Sequence, residues 1–441
     1  MGNIESNIEN SCIERSKKKL QPHQIKVIEY FLQDKTDGLL VVHPTGSGKT
    51  LTSVAMSQCF LDYYPERKVI FVSPTNLIEN FKNELATYNY KNLKSYKFYS
   101  YQKFLQEDEE FRDDLCKGNF LIVDEVHNLR VLNNKSPKKG KRTKSVMRCS
   151  RFASKRLLLT ATPYVNNLTD FIPIINFIYG KTMLWKKSDA SSIKKLSPYL
   201  RNKIDYIELS NQNNLYFPSY KEHYIKIKME KDYETDYCRI IKGNEIKGDI
   251  FQNPESFYNG HRRAVNKIGK GDIYFSQKTK KAVNLIKDKK TLIFSNWLDF
   301  GLKAMKRILD EKKIKSEQFS GEMSLNEKKK IVENFNENKF QVLIISKSGM
   351  EGLDLKEIRN VIIMDPVWNY SGIKQILGRA VRYKSHIDLP KEERHVDIYY
   401  LILETTREDC KSGDTIVYDI VKRKRKELEM INSVLKRLSI K

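Results

Sequence analysis

Twice along this chain, short runs of Val, Ile, Leu and Phe alternate with segments of helical apolar spacing, and this doubled pattern restricts the fold more than any other feature. Alternating strands and helices cover both faces of a parallel sheet with helices, so each series predicts one α/β lobe. The first series comprises Leu39 to Val42, Val69 to Val72, Phe120 to Val123 and Arg156 to Leu159. The second comprises Thr291 to Phe294, Gln341 to Ile345, Asn360 to Met364 and Val396 to Leu401. At 441 residues the chain exceeds what one ordinary core organises, which agrees with two lobes. No apolar run approaches the roughly 18 residues that suggest a membrane span.

The expected division is a polar, mobile tail over 1–18, a first lobe over 19–185, a connector over 186–280 and a second lobe over 281–441. Within the connector, Tyr224 to Met229 alternates strictly, predicting a half-buried strand that joins the second lobe. Residues 133–156 hold ten Lys or Arg and no acid, interrupted by Pro137 and Gly140. They read as a flexible basic loop, either touching phosphates or merely solvated. From Thr415 to Leu438 the spacing of Ile420, Leu428, Ile431, Leu435 and Leu438 predicts an amphipathic helix, packed on the second lobe or offered to a partner as a coiled coil.

Lys and Arg number 80 against 55 Asp and Glu, a net charge of +25. Such a surplus attracts a polyanion, DNA or RNA being the natural candidate, although an AT-rich coding sequence also inflates Lys. The six cysteines show no zinc-site spacing and read as reduced thiols. With a polar N-terminus and no secretory signal, the protein is expected to be intracellular and not secreted. Met1 to Ser6 fits the loose myristoylation pattern at Gly2, with a frayed terminus as the plain alternative.

His43-Pro44-Thr45-Gly46-Ser47-Gly48-Lys49-Thr50 follows an apolar strand and precedes a helix, the setting of a phosphate-binding loop. Small residues let backbone N–H groups close on phosphates while the helix N-terminus adds a favourable dipole. His43 stands where the generic pattern has its first glycine. Lys49 is expected to reach the β- and γ-phosphates of ATP, and the Thr50 hydroxyl to ligate Mg2+. Asp124-Glu125-Val126-His127 comes directly after the strand Phe120 to Val123. Phosphoryl transfer needs one carboxylate on the metal and another orienting the attacking water, roles that fall to Asp124 and Glu125.

These two blocks resemble motifs I and II of superfamily 2 helicases, and further blocks follow in that family's order. Leu20 to Gln24 resembles the adenine-reading glutamine motif, with Gln24 as reader. Ser73-Pro74-Thr75 is similar to motif Ia, which implies nucleic-acid contact at Pro74 and Thr75. Thr160-Ala161-Thr162-Pro163 is similar to motif III, implying that His127, Thr160 and Thr162 couple hydrolysis to movement. Leu292 to Trp297 resembles motif IV. Ser346 to Leu355 resembles motif V, which implies nucleic-acid contact at Ser346 and nucleotide contact at Gly352 and Asp354. Gln375 to Arg382 resembles motif VI. Arg379 and Arg382 lie three apart and share a helix face, and the resemblance makes Arg382, then Arg379, the cation that neutralises the γ-phosphate, with Gln375 beside them. Phe217-Pro218, Asp365 to Asn369 and Tyr383 to His386 look closer to Swi/Snf-like enzymes, and closest to transcription-associated ATPases of large cytoplasmic DNA viruses, of the poxvirus nucleoside triphosphatase I and early-transcription-factor type.

The resemblance implies two tandem RecA-like lobes, each a mostly parallel sheet flanked by helices, with the ATP site in the cleft between them. It implies a nucleic-acid-dependent ATPase acting as helicase or translocase, with ATP and Mg2+ as cofactors and DNA or RNA and the transcription machinery as partners. For a viral protein it implies the host cytoplasm or the virion. Two alternatives stay open: a duplex DNA translocase that moves without strand separation, and a nucleic-acid-binding scaffold with an inactive ATPase site.

Overall fold

The apolar runs of the first series become β1 (Gly38–Val42), β2 (Val69–Ser73), β4 (Phe120–Asp124) and β5 (Lys155–Thr160), each buried along its whole length. Two strands without such runs complete the sheet, β3 (Tyr96–Ser100) and β6 (Ile204–Tyr206). Their order is β3-β2-β4-β5-β1-β6, with every pairing parallel. Near-continuous apolar strands are what a sheet covered on both faces requires. Gly38 opens β1 because a Cβ there would lie 1.9 Å from the Ile178 carbonyl oxygen of the helix Phe171–Tyr179.

A second six-stranded sheet contains β7 (Ser219–Lys228), β10 (Thr291–Phe294), β11 (Ser316–Phe319), β12 (Val342–Ile345), β13 (Asn360–Ile363) and β14 (His395–Glu404). It runs β11-β12-β10-β13-β14-β7, again all parallel. A small antiparallel pair of β8 (Lys267–Ile268) and β9 (Tyr274–Phe275) lies in the chain between β7 and β10. β7 is the alternating Tyr224 segment at the sheet edge, and its exposed and half-buried residues largely alternate, as a strand with one face in water requires. The computed structural model describes residues 12–33, 35–44, 46–88, 90, 93–129, 137–163, 168–183, 185–186, 191–208, 217–242, 259–268, 274–346, 353–366, 370–382 and 384–441. Among these, no helix is long and apolar enough to cross a membrane.

The chain divides into two compact units, Met1–Leu209 with Glu427–Lys441, and Ser210–Lys426. The last helix, Gly413–Leu438, therefore starts in the second unit and ends in the first. Packing on the second lobe alone is corrected by this division. Its start is fixed by Asp414, which is buried against Lys278 at 2.7 Å and accepts the Leu403 N–H at 3.0 Å. Its end is fixed by Ile440, which joins the apolar core around β1, β2 and β4.

Three further expectations are corrected. The basic stretch is not a flexible loop over its described part: Pro137–Phe152 is a helix, and Lys155 and Arg156 lie in β5. Residues 133–136 lie outside the described residues. Val146, Met147 and Cys149 are buried, while Arg148 turns outward to Asp113 at 2.7 Å and Glu109 at 2.5 Å. The charge run hides this helical spacing. The tail is not mobile over its described part either, since Cys12 is buried and Arg15 pairs with Asp62 at 2.7 Å. Gly2 and the other residues before Cys12 lie outside the described residues.

The cysteines are not free thiols. Cys12–Cys59, Cys116–Cys149 and Cys238–Cys410 are disulfides, at sequence separations of 47, 33 and 172, and together they take up all six. Tertiary packing brings the partners together, and linear spacing carries no trace of it. Alkylation of the denatured, unreduced protein should therefore label none of the six cysteines. Reduction should lower the unfolding free energy, by about 3 to 4 kcal/mol for the Cys116–Cys149 loop alone in the chain-entropy model. Quantitative labelling without reductant would contradict the pairings.

Candidate active site

Parallel pairing puts the strand C-termini of the first sheet on one edge. Val42 of β1 lies opposite Thr160 of β5, and Leu159 of β5 lies opposite Asp124 of β4. The segments beginning at His43, Pro74, Glu125 and Ala161 thus leave the sheet at the same edge, where ligands of open α/β sheets bind. The His43 N–H donates to the Thr160 carbonyl at 3.2 Å, locking the start of the phosphate loop to the end of β5.

Within the loop, Gly46 and Gly48 both adopt φ of +83°, a conformation that side chains resist. Gly48 also faces Gln24, whose Nε2 would lie 2.5 Å from an added Cβ. The helix Lys49–Tyr63 begins at Gly48 with no acid in its first turn, so its N-terminal dipole stays open to an anion. The Lys49 ammonium donates to the His43 and Pro44 carbonyls at 2.9 and 3.2 Å. Ser47 closes the turn, its hydroxyl donating to the Pro44 carbonyl at 2.7 Å. Thr50 follows in the first helical turn, and Thr45 lies outside the described residues.

The helix Pro22–Leu32 supports the loop from outside. Gln24 is buried, donates from Nε2 to the Gly48 carbonyl at 3.0 Å and accepts the Gln21 N–H at 2.8 Å. His23 Nε2 lies 3.0 Å from the Ser47 carbonyl. His43 is fully buried, its Nε2 2.6 Å from Asp205 Oδ2. Burial drives the His43 pKa down to about 4, with Asp205 pulling the other way, so the ring is neutral at pH 7 and Nε2–H is the donor.

At the end of β4, Asp124 is buried and accepts the Glu125 N–H at 2.8 Å. The Tyr101 hydroxyl donates to the backbone carbonyl of Asp124 and lies 3.2 Å from that of Glu125. Burial, reinforced by the Glu125 charge and opposed by Lys49, holds the Asp124 carboxyl above its ordinary range. Glu125 itself sits at φ +53°, left-handed backbone that costs a non-glycine residue of order 1–3 kcal/mol and occurs preferentially where function needs it. Its Oε2 lies 3.1 Å from His127 Nδ1, which lies 3.0 Å from Thr160 Oγ1, which in turn accepts the Thr162 N–H at 3.0 Å. The acidic pair is thus joined to the segment after β5 through the side chains of Glu125, His127 and Thr160 and the backbone of Thr162.

In the second unit, the helix Tyr370–Ala380 and the residues after it bring two arginines to one carbonyl. Arg379 Nη1 and Arg382 Nη1 lie 3.4 and 2.9 Å from the Leu353 oxygen, and Arg382 also pairs with Asp354 at 2.7 Å. Asp354 and both arginines are therefore neighbours, although Arg382 lies beyond the end of the helix at Ala380, so the expected shared helix face is not what brings them together. Ser346 leaves the C-terminal end of β12, its N–H 3.3 Å from the Phe319 carbonyl. Gly352 and the Gln375 side chain lie outside the described residues. Pro74 and Thr75 cap and begin the helix Thr75–Thr87. Sequence reading missed Asp205, His23 and Tyr101. Asp205 sits in a three-residue edge strand with no motif around it, and only the neighbouring His43 hinted at a buried carboxylate.

Four families match in succession. Residues 17–165 match the family described as type III restriction enzyme, res subunit, and residues 92–292 the SNF2-related domain. Residues 277–384 match the helicase conserved C-terminal domain, and residues 386–441 the nucleoside triphosphatase I C-terminal family. A putative ATP-dependent RNA helicase of Acanthamoeba polyphaga mimivirus is 29% identical over 86% of this chain and 88% of its own length. Nucleoside triphosphatase I of Melanoplus sanguinipes entomopoxvirus is 25% identical over 96% of this chain and 78% of its own. The SWI2/SNF2 ATPase core of Sulfolobus solfataricus, solved with double-stranded DNA, covers 97% of this chain and 98% of its own at 18% identity and a TM-score of 0.42. Segments of the chain thus match helicase and SNF2-related domain families, and the proteins it is similar to include a viral helicase and viral nucleoside triphosphatases.

Proposed function

We propose that this nucleic-acid-dependent ATPase is a motor that couples hydrolysis at Lys49, Asp124 and Glu125 to movement along DNA or RNA. The observation that carries the reading is the joining, on one sheet edge, of a phosphate loop to an acidic pair whose Glu125 contacts His127 and, through it, Thr160 and the Thr162 backbone. A triphosphate on the loop meets the Lys49 ammonium and the N-terminus of its helix. Glu125, held by its strained backbone and by His127, orients the attacking water. Gln24, beside Gly48, is proposed to face the adenine, and Arg379 and Arg382 to neutralise charge on the γ-phosphate.

The donor set also fits magnesium. A carboxyl buried beside a second carboxyl is stabilised in its charged form by a cation, and Asp124 is such a group. Thr50 and Asp124 would hold the ion, which supplies charge neutralisation to the phosphates. Movement follows if the His127–Thr160–Thr162 relay reports the state of Glu125 to the segment after β5. Phosphate contacts from Pro74, Thr75 and Ser346 would then set position with little reading of base identity. The nucleoside triphosphatase I match over 386–441 favours a role in virus-encoded transcription, in the host cytoplasm or the virion. The SNF2-related match over 92–292 favours travel along duplex DNA without strand separation. Displacement of a triplex-forming strand without separation of the duplex would select that form, and separation of the duplex would select a helicase.

Lys49→Ala is expected to abolish turnover, and Glu125→Gln to abolish it while ATP binding persists. Arg382→Ala should lower kcat by about 10³-fold or more while changing nucleotide affinity little, because its partner charge develops in the transition state. Normal turnover by Glu125→Gln would remove that residue from its role. The ATPase rate of the whole chain should rise on adding polynucleotide and fall again as salt displaces it, since phosphate neutralisation drives binding. A rate indifferent to every polynucleotide and to salt would rule out a nucleic-acid motor.

A further inference from the structure

Asp205 lies on none of the motifs, yet three separate parts of the first unit converge on it. Its side chain is fully buried. Oδ2 accepts from His43 Nε2 at 2.6 Å, and Oδ1 accepts from Lys26 Nζ at 2.7 Å and from the Ser439 hydroxyl at 3.0 Å. His43 begins the phosphate loop, and its backbone carbonyl holds the Lys49 ammonium at 2.9 Å. Lys26 lies on the helix Pro22–Leu32, which also carries His23 and Gln24 against the loop carbonyls of Ser47 and Gly48. Ser439 follows the last helix.

The third contributor is built into the sheet edge. β6 is the outermost strand on that side, and residues 439–440 lie along it. Ile440 donates its N–H to the Ile204 carbonyl at 2.9 Å, and Tyr206 donates its N–H to Ser439 Oγ at 2.9 Å. The Ile440 carbonyl in turn accepts from Lys26 Nζ at 3.1 Å, and the Ile440 side chain is buried in the core beneath the loop. Each of these bonds constrains the others, so the position of Ser439 bears on the Asp205 carboxylate and, through it, on the His43 ring.

We infer that Asp205 is a positioning residue for nucleoside triphosphate binding, and that the segment Ser439–Ile440 tunes the phosphate loop through it. Asp205 does not touch the nucleotide. It fixes the ring and backbone of His43, hence the carbonyl that steadies Lys49, and it draws Lys26 so that the helix bearing Gln24 stays against Gly48. The carboxylate is held in its charged form: burial alone would raise its pKa, but the bonds from His43 and Lys26 outweigh that and keep it below the usual range. A buried carboxylate that loses one of its charge-assisted donors loses stability and orientation together. Neither Asp205 nor Ser439 belongs to a motif, yet both act on the loop through the motif residues His43 and Gln24.

This inference rests on the phosphate-loop assignment, and the test separates the two. The full chain, Ser439→Ala, Ser439→Thr, Asp205→Asn and the Ser439→Ala/Asp205→Asn double variant are compared for binding of a fluorescent ATP analogue and for KM and kcat at saturating polynucleotide. Ser439→Ala should weaken analogue binding and raise the KM for ATP about 3- to 10-fold, with kcat within about twofold, a loss in the range of one ordinary hydrogen bond because the effect reaches the nucleotide only indirectly. Ser439→Thr, which keeps the hydroxyl, should restore wild-type values. The double variant should be no worse than Asp205→Asn alone, since the serine acts through the aspartate. If Ser439→Ala binds and hydrolyses ATP as the wild type does, or if Ser439→Thr fails to rescue it, the inference is overturned, whatever Asp205→Asn does to folding. Failure of the underlying reading looks different: the wild-type chain would not bind the analogue, or Lys49→Ala would hydrolyse ATP normally.

Discussion

Parallel pairing of β1 with β5 and of β5 with β4 is the constraint on which the site depends. It delivers the phosphate loop, the acidic pair and the Thr160 segment to one edge of one sheet, although Lys49 and Asp124 lie more than seventy residues apart along the chain and Thr160 lies further on still. Strands buried on both faces cannot slip, because a shift of one residue would turn polar ends into the apolar layers. The register therefore sets the distance between Lys49 and Asp124 more firmly than any contact between those two side chains. It also lets Lys49 offset part of the cost of burying Asp124.

Around that edge the structure accumulates conformations that folding alone would avoid. Glu125 holds left-handed backbone, and Asp124 is a buried acid next to another acid. Both are costly, and both are held by neighbours: Tyr101 beneath the two carbonyls, His127 against Glu125, and Thr160 against His127. The same neighbours give the site a route outward. A change at Glu125 alters the His127 contact, which shares Thr160 with the backbone of Thr162. Hydrolysis chemistry and the means of reporting it are thus one series of close polar contacts.

Much of this could be read from residue order. The eight apolar runs became strands within a residue or so at most ends, because continuous Val, Ile and Leu in a chain with helices between has few other places to go. The phosphate loop and the acidic pair were legible for a similar reason, since small residues between strand and helix, and carboxylates at a strand end, are local patterns with local causes. What stayed hidden was held by distance. β3, β6 and β11 lack apolar runs and exist because a neighbouring strand offers an edge. The disulfides join cysteines that only the fold makes neighbours, which also removes the reduced thiols as grounds for assigning a compartment. The basic stretch read as a loop because its lysines and arginines masked Val146 and Met147, and Asp205 had no motif because its partners lie at His43, Lys26 and Ser439.

The central claim is that one triphosphate binds between the Lys49 loop and the Asp124–Glu125 pair. A structure of the chain with magnesium and a non-hydrolysable ATP analogue tests this most directly. The account places the Lys49 ammonium within about 3 Å of a β- or γ-phosphate oxygen and a metal bound by Thr50 and Asp124 at about 2.1 Å. An analogue bound away from the Lys49 loop, or a metal held by other residues, would contradict it.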